Sequence, residues 1–204
     1  MFFYLLHYLK FLLTSSNQHG VHSPFVYHLV TKCFYSKVKK EAFQQYQKIR
    51  KNIVLNPDKK ATKFTSKKAK LLIKVTHYFN PATILEMGTF LGLGTSALKI
   101  AAPNSMMTTV ETSSKIAKDN QFDLIYFNGS TTKQTTLASF KKCLSTIHNE
   151  TLFIVNDIYA NKETLEAWTF IKQHPKVSVT VDVFYCGIVF FRTEQEKEHF
   201  KIRI

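Results

Sequence analysis

Residues 82–96 read ATILEMGTFLGLGTS, and no other stretch of the chain restricts the fold as tightly. The apolar run 82–87 has the length of a buried strand, and Asn80-Pro81 bounds it upstream. Glycines at 88, 92 and 94 follow, and then a run of helix formers, residues 96–102. Strand, glycine turn and helix form the opening of a nucleotide-type α/β unit. Glycine is required there because a Cβ would forbid positive φ and block close approach of the backbone to a ligand. The dinucleotide fingerprint G-x-G-x-x-G is excluded, since the spacings come in the reverse order. A phosphate-binding P-loop is excluded too, because no lysine follows the last glycine and Glu86 stands where phosphates would approach. A carboxylate just before such a turn suits a ligand that carries positive charge.

A chain of 204 residues, 45% hydrophobic, is long enough for one domain with a real core. We divide it into an N-terminal helical region, residues 1–64, and an α/β domain, residues 65–204. Cys33, Cys143 and Cys186 are odd in number and in no metal-binding spacing, so they read as buried thiols of a reducing, cytoplasmic protein. The formal charge of +14 is uneven: residues 37–74 hold thirteen Lys and Arg against Glu41 and Asp58. That run fits a solvated helical face, or a contact with nucleic acid, although no RNA- or DNA-binding motif accompanies it. The first thirteen residues, MFFYLLHYLKFLL, are apolar but too short to span a bilayer and lack the marks of a signal peptide. A helix docked on the body of the protein or on a second copy is expected, with peripheral membrane attachment the weaker alternative.

Further along, residues 66–79 read as a helix capped by Ser66, with Leu71, Leu72, Val75 and Phe79 facing inward. A second strand, residues 106–110, ends in Glu111, the place where nucleoside-binding α/β folds put a ribose acceptor. Only ten residues, 112–121, then precede the next strand, 122–127. A full βαβ unit takes about 30 residues, so a third strand is expected to be missing. Asn128 follows that strand, and Asn156-Asp157-Ile158-Tyr159 follows the strand at 152–155. Residues 178–184 and 186–192 read as an antiparallel hairpin at the sheet edge, and 193–204 as a short closing helix or an extended end.

Two stretches carry a resemblance. The pattern E-x-G-x-x-x-G-x-G from Glu86 to Gly94 resembles the first motif of class I S-adenosylmethionine-dependent methyltransferases. His19-Gly20-Val21-His22-Ser23-Pro24-Phe25-Val26 looks like the opening of a bacterial family of methyltransferase-like proteins. Their ending is matched by Ala167-Trp168, by Asp182 with Val183-Phe184, by residues 187–192, GIVFFR, and by 194–203, EQEKEHFKIR.

The resemblance implies a Rossmann-like, mostly parallel sheet with an antiparallel last strand, and S-adenosylmethionine as cofactor. Cofactor contacts would fall at Glu86, Gly88, Thr89, Gly92, Gly94, Glu111 and Asn128. Candidate groups for deprotonating the methyl acceptor, itself unidentified, are Asp157, Tyr159 and His22, the last only if its loop folds over the site. Catechol-type relatives hold Mg²⁺ at positions equivalent to Asn128, Asn156 and Asp157. One carboxylate among the three argues against a metal. The short crossover and the two asparagines leave a second reading, a non-catalytic methyltransferase-fold protein. A third reading is a nucleic-acid-binding module that uses residues 37–74.

Overall fold

The structure is a computed structural model, and it describes residues 2–54, 64–88, 91–111, 114, 116, 120–128 and 132–204. Helices α1 (Phe2–Thr14), α2 (Pro24–His28), which runs on into a π turn at Leu29–Phe34, α3 (Lys40–Ile53) and α4 (Ser66–Phe79) come first. Then follow β1 (Thr83–Met87), α5 (Leu93–Ala101), β2 (Met106–Val110), β3 (Leu124–Phe127), α6 (Lys133–Cys143) and β4 (Leu152–Asn156). The chain ends with α7 (Lys162–Gln173), β5 (Val179–Asp182), β6 (Cys186–Phe190) and β7 (Glu198–Lys201). The break expected at Asn56-Pro57-Asp58 lies outside the described residues.

The local signals act as their chemistry dictates. Thr65, one residue before the expected cap, accepts the Lys68 N–H at the start of α4. Asn80 ends that helix in the left-handed conformation at φ 43°, and Pro81 forbids its continuation. Asn161 and Thr164 cap α7 reciprocally.

The seven strands lie in the order β2-β1-β3-β4-β6-β5-β7. β6 runs against both neighbours, and every other pairing is parallel. The hairpin is therefore not at the edge. Its second arm inserts beside β4, and the charged tail supplies β7, which covers β5. At the opposite side no strand flanks β2 among the described residues.

Side chains alternate along each strand, so the sheet carries a core on both faces. Ile84, Leu124, Tyr126, Leu152 and Ile154 face α4, α5 and the π turn. Leu85, Met87, Ile125, Phe127, Phe153 and Val155 face α6 and α7, where Phe140, Trp168 and Ile171 meet them. Val26, Leu29, Phe34 and Tyr46, from the N-terminal helices, are buried in the first of these cores. The result is a three-layer Rossmann-like α/β sandwich.

Candidate active site

In an open α/β sheet, ligands bind beyond the carboxyl ends of the parallel strands. A cavity of about 1060 Å³ occupies that end of β3 and β4. Asn128 and Asn156 border it from the strand ends, Thr65 to Lys68 from the first turn of α4, and Tyr4, Tyr8 and Phe11 from α1. Phe184 and Tyr185, in the β5–β6 turn, complete an aromatic wall.

The turn after β4 is shaped by Asp157, whose φ of 56° is left-handed. Its N–H donates to the Tyr185 carbonyl at 2.9 Å, which ties the turn to the β5–β6 connection. Phe184 is also left-handed, at φ 73°, a costly conformation for a bulky side chain. Its N–H donates to Asp182 Oδ1 at 2.8 Å, and its ring stacks on Tyr159 at 4.8 Å, which helps to hold it.

The Asp157 carboxylate meets Lys68 Nζ at 2.5 Å; the lysine side chain is 8% exposed and the aspartate 37%. An ammonium so deeply placed needs a charged partner, and this pair puts both charges on the cavity wall, together with its aromatic residues. Lys68 was not legible as a site residue. It is one of thirteen cations in a basic run, and it reaches the site only because α4 docks beside β4.

The glycine turn is linked to this region through Asn128. Gly88 (φ 78°) and Gly92 (φ 66°) adopt left-handed backbone. A Cβ on Gly92 would meet no atom within 4 Å, so conformation rather than space requires glycine there. Gly94 is different. A Cβ on it would come within 2.7 Å of the Tyr126 ring and 3.1 Å of Glu86 Oε1, so close helix–strand packing requires glycine there.

Glu86 is fully buried and its carboxylate is engaged. It accepts from Thr95 Oγ1 at 2.6 Å and from Asn128 Nδ2 at 3.3 Å. Burial pushes its carboxyl up, against these two hydrogen bonds. Asn128 thus joins the floor of the glycine turn to the cavity. Thr89 lies outside the described residues. Glu111 is exposed at the end of β2, beside the turn, since Gly88 N–H donates to the Val110 carbonyl at 2.8 Å.

Two expected acid–base groups lie elsewhere. Tyr159 is buried, and its hydroxyl donates to Asp182 Oδ2 at 2.6 Å. Burial, with the Asp182 charge second, drives its hydroxyl far above the ordinary tyrosine range. It cannot serve as a base while it is donating. His22 is exposed and does not line the cavity. Phe25, three residues on, packs on Phe190 at 4.9 Å, and Phe190 pairs with Leu152 at the amino-terminal start of β4. The His22 loop therefore leads to the other end of the sheet, and it does not fold over the site. Its serine works structurally, with Ser23 capping α2.

The donor set suits no hard divalent cation. Asn128 and Asn156 are neutral, and the one carboxylate is already matched by an ammonium. Among the described residues, no group of three or more His, Cys, Asp and Glu gathers at any point.

By sequence, no protein-family model and no curated protein matches the chain. Solved structures do resemble it. The SAH-bound Podospora anserina methyltransferase PaMTH1 is 14% identical with a TM-score of 0.55, over 84% of this chain and 97% of that one. Cofactor-bound Rv0187 from MTB is 12% identical with a TM-score of 0.53, over 82% and 94%. The O-methyltransferase TomG from Streptomyces achromogenes, involved in tomaymycin synthesis and in complex with SAM, is 12% identical with a TM-score of 0.52, over 80% and 95%. At such identities the likeness is one of architecture: the chain has the Rossmann-like fold of class I methyltransferases.

Proposed function

We propose that the chain is an S-adenosylmethionine-dependent methyltransferase whose acceptor occupies the aromatic cavity. The observation that carries this reading is continuity. Asn128 donates to Glu86 beneath the glycine turn and also borders the cavity that holds Lys68 and Asp157. On this reading the donor and acceptor sites would lie side by side at the carboxyl ends of neighbouring strands. The SAH- and SAM-bound neighbours support the same cofactor.

The residues present fit that group on its methionine and ribose side. The left-handed backbone at Gly88 and Gly92 opens the turn, and the exposed Glu111 carboxylate beside it can accept from ribose hydroxyls. Glu86, closed off by Thr95 and Asn128, shapes the turn and contributes its charge from below. When bound, the cofactor supplies a sulfonium-activated methyl group, so the protein has chiefly to hold the acceptor in line with it. Asp157, oriented by Lys68, is the group placed to take a proton from an acceptor hydroxyl. The three buried cysteines suit a reducing cytoplasm.

Calorimetric titration with S-adenosylmethionine and S-adenosylhomocysteine tests this directly. Binding is expected in the wild type, and it should be lost in Gly88→Val, where a β-branched side chain would have to hold positive φ. No heat at millimolar cofactor would overturn the reading.

The short crossover after β2 favours the second reading, a fold that binds cofactor without turnover. Cofactor binding with no methyl transfer to any small hydroxylated acceptor would select it. The nucleic-acid reading draws less support, because no nucleic-acid-binding motif accompanies the basic run and three of its cations have internal partners. Lys68 pairs with Asp157, Lys70 lies 4.6 Å over the Phe43 ring, and Lys74 donates to the Phe34 carbonyl at 2.7 Å.

A further inference from the structure

The helix α1 is apolar on two sides, and only one of them is used. Tyr4, Tyr8 and Phe11 pack on the Phe184 ring at 4.9, 4.9 and 5.4 Å, forming part of the cavity wall. The outer side carries Phe2, Leu5, Leu6, Leu9 and Leu13, exposed by 79, 54, 52, 52 and 88%. Their spacing sets them in one stripe along the helix. Apolar exposure concentrated in this way marks a surface that something covers.

We propose that this stripe docks on an anionic membrane surface, with α1 lying in the plane of the interface. Charge decides among the occupants. The first 40 residues contain no Asp or Glu. Lys10 sits on α1 itself, and Lys201 Nζ donates to Thr14 Oγ1 at 3.2 Å at the end of the helix. Lys67 and Arg203 line the cavity that Tyr4 and Tyr8 wall. A second copy brings no acidic residue from its own first 40 to answer these cations, whereas anionic headgroups do. A bilayer rich in anionic lipid complements both parts at once, the apolar stripe with acyl chains and the cations with headgroups.

Thirteen residues of helix extend about 20 Å, short of the roughly 30 Å hydrocarbon core. No helix among the described residues is long and apolar enough to cross a membrane. The helix thus lies on the surface. Because α1 is also a wall of the cavity, docking sets the aromatic lining beside the acyl phase, where a lipophilic methyl acceptor can enter. That entry route rests on the proposed function, whereas the docking does not.

The test is flotation of the full chain with vesicles of phosphatidylcholine alone or mixed with phosphatidylserine, without any cofactor. Binding is expected to the mixed vesicles, to weaken as salt rises, and to be at least about tenfold weaker to the neutral ones. Leu5→Glu with Leu9→Glu should abolish it while leaving the circular dichroism spectrum and melting temperature unchanged, since both side chains are exposed. Equal partition to neutral and anionic vesicles, or none to either at low salt, would overturn the proposal. So would a dimer by light scattering that the same double variant dissolves, which would assign the stripe to a second copy. Methyl transfer does not enter any of these readouts, so failure here is separable from failure of the enzymatic reading.

Discussion

The pair Lys68–Asp157 is asymmetric, and its asymmetry has measurable consequences. Lys68 is deeply buried and Asp157 faces the cavity. Asp157→Asn removes the carboxylate that neutralises a buried ammonium, and should cost about 2–3 kcal/mol in urea unfolding, at or below the low end for a fully buried pair. Lys68→Met leaves an aspartate that water can reach, so its stability cost should be smaller, about 1 kcal/mol. Both variants should retain cofactor binding and lose methyl transfer. A Lys68→Met protein that methylates normally would remove the pair from the reaction.

Glu86 offers a second check. Burial holds its folded carboxyl above the ordinary value, so the native state keeps a proton that the unfolded chain has already released. Stability contributed at this site therefore falls as pH rises through the interval between the unfolded and folded values, and is level above it. Glu86→Gln abolishes that dependence. The melting temperature of the wild type should decline relative to the variant as pH is raised out of the acid range; parallel curves would exclude the effect. The places of Glu86 and Glu111 in the fold were legible in the sequence, the first from the glycine motif and the second from the end of a strand. The ion pair was not, because its partners are 89 residues apart and meet only through the docking of α4.

At the scale of elements, the same residue type does unlike work. A Cβ on Gly187 in β6 would lie 2.5 Å from a Trp168 ring carbon, and that indole fills the core between α7 and the sheet. Gly187→Ala should cost about 2–3 kcal/mol through overpacking. Gly92→Ala has open space and loses only on its positive φ, so about 1 kcal/mol is expected. Thermal unfolding of the two variants side by side checks the order; a reversed order would mean that the α7–β6 contact yields easily. Gly187 and Trp168 thus have a packing role that each imposes on the other. Strands β1, β3 and β4 were legible because they are short apolar runs bounded by turn residues. The tail was not fixed as a strand, because β7, Glu198–Lys201, has no buried residue and no apolar alternation. Its pairing depends on β5 lying open beside it. The placement of β6 between β4 and β5 is likewise a long-range outcome, invisible to local pattern.

Over the whole molecule, cohesion is uneven in a way that bears on access to the cavity. β3 and β4 are buried along nearly their whole lengths and paired on both sides. Helix α1 buries only Phe11 and is held by its aromatic contacts with Phe184. Just beyond it, Ser16 N–H donates to the Lys201 carbonyl at 2.9 Å and Arg203 N–H donates to the Ser16 carbonyl at 3.0 Å, so the chain is pinned where the helix ends. A helix with so little buried area beside a firm anchor opens locally, at a small fraction of the free energy of global unfolding. Amide hydrogen exchange should therefore run fastest in α1 and slowest in β3 and β4. A ligand that fills the cavity would touch Tyr4 and Tyr8, and it should slow exchange in α1 while leaving the central strands unchanged. Exchange in α1 as slow as in β4 would mean that this wall does not open, and access to the cavity would then have to lie past Arg203 and Ile204.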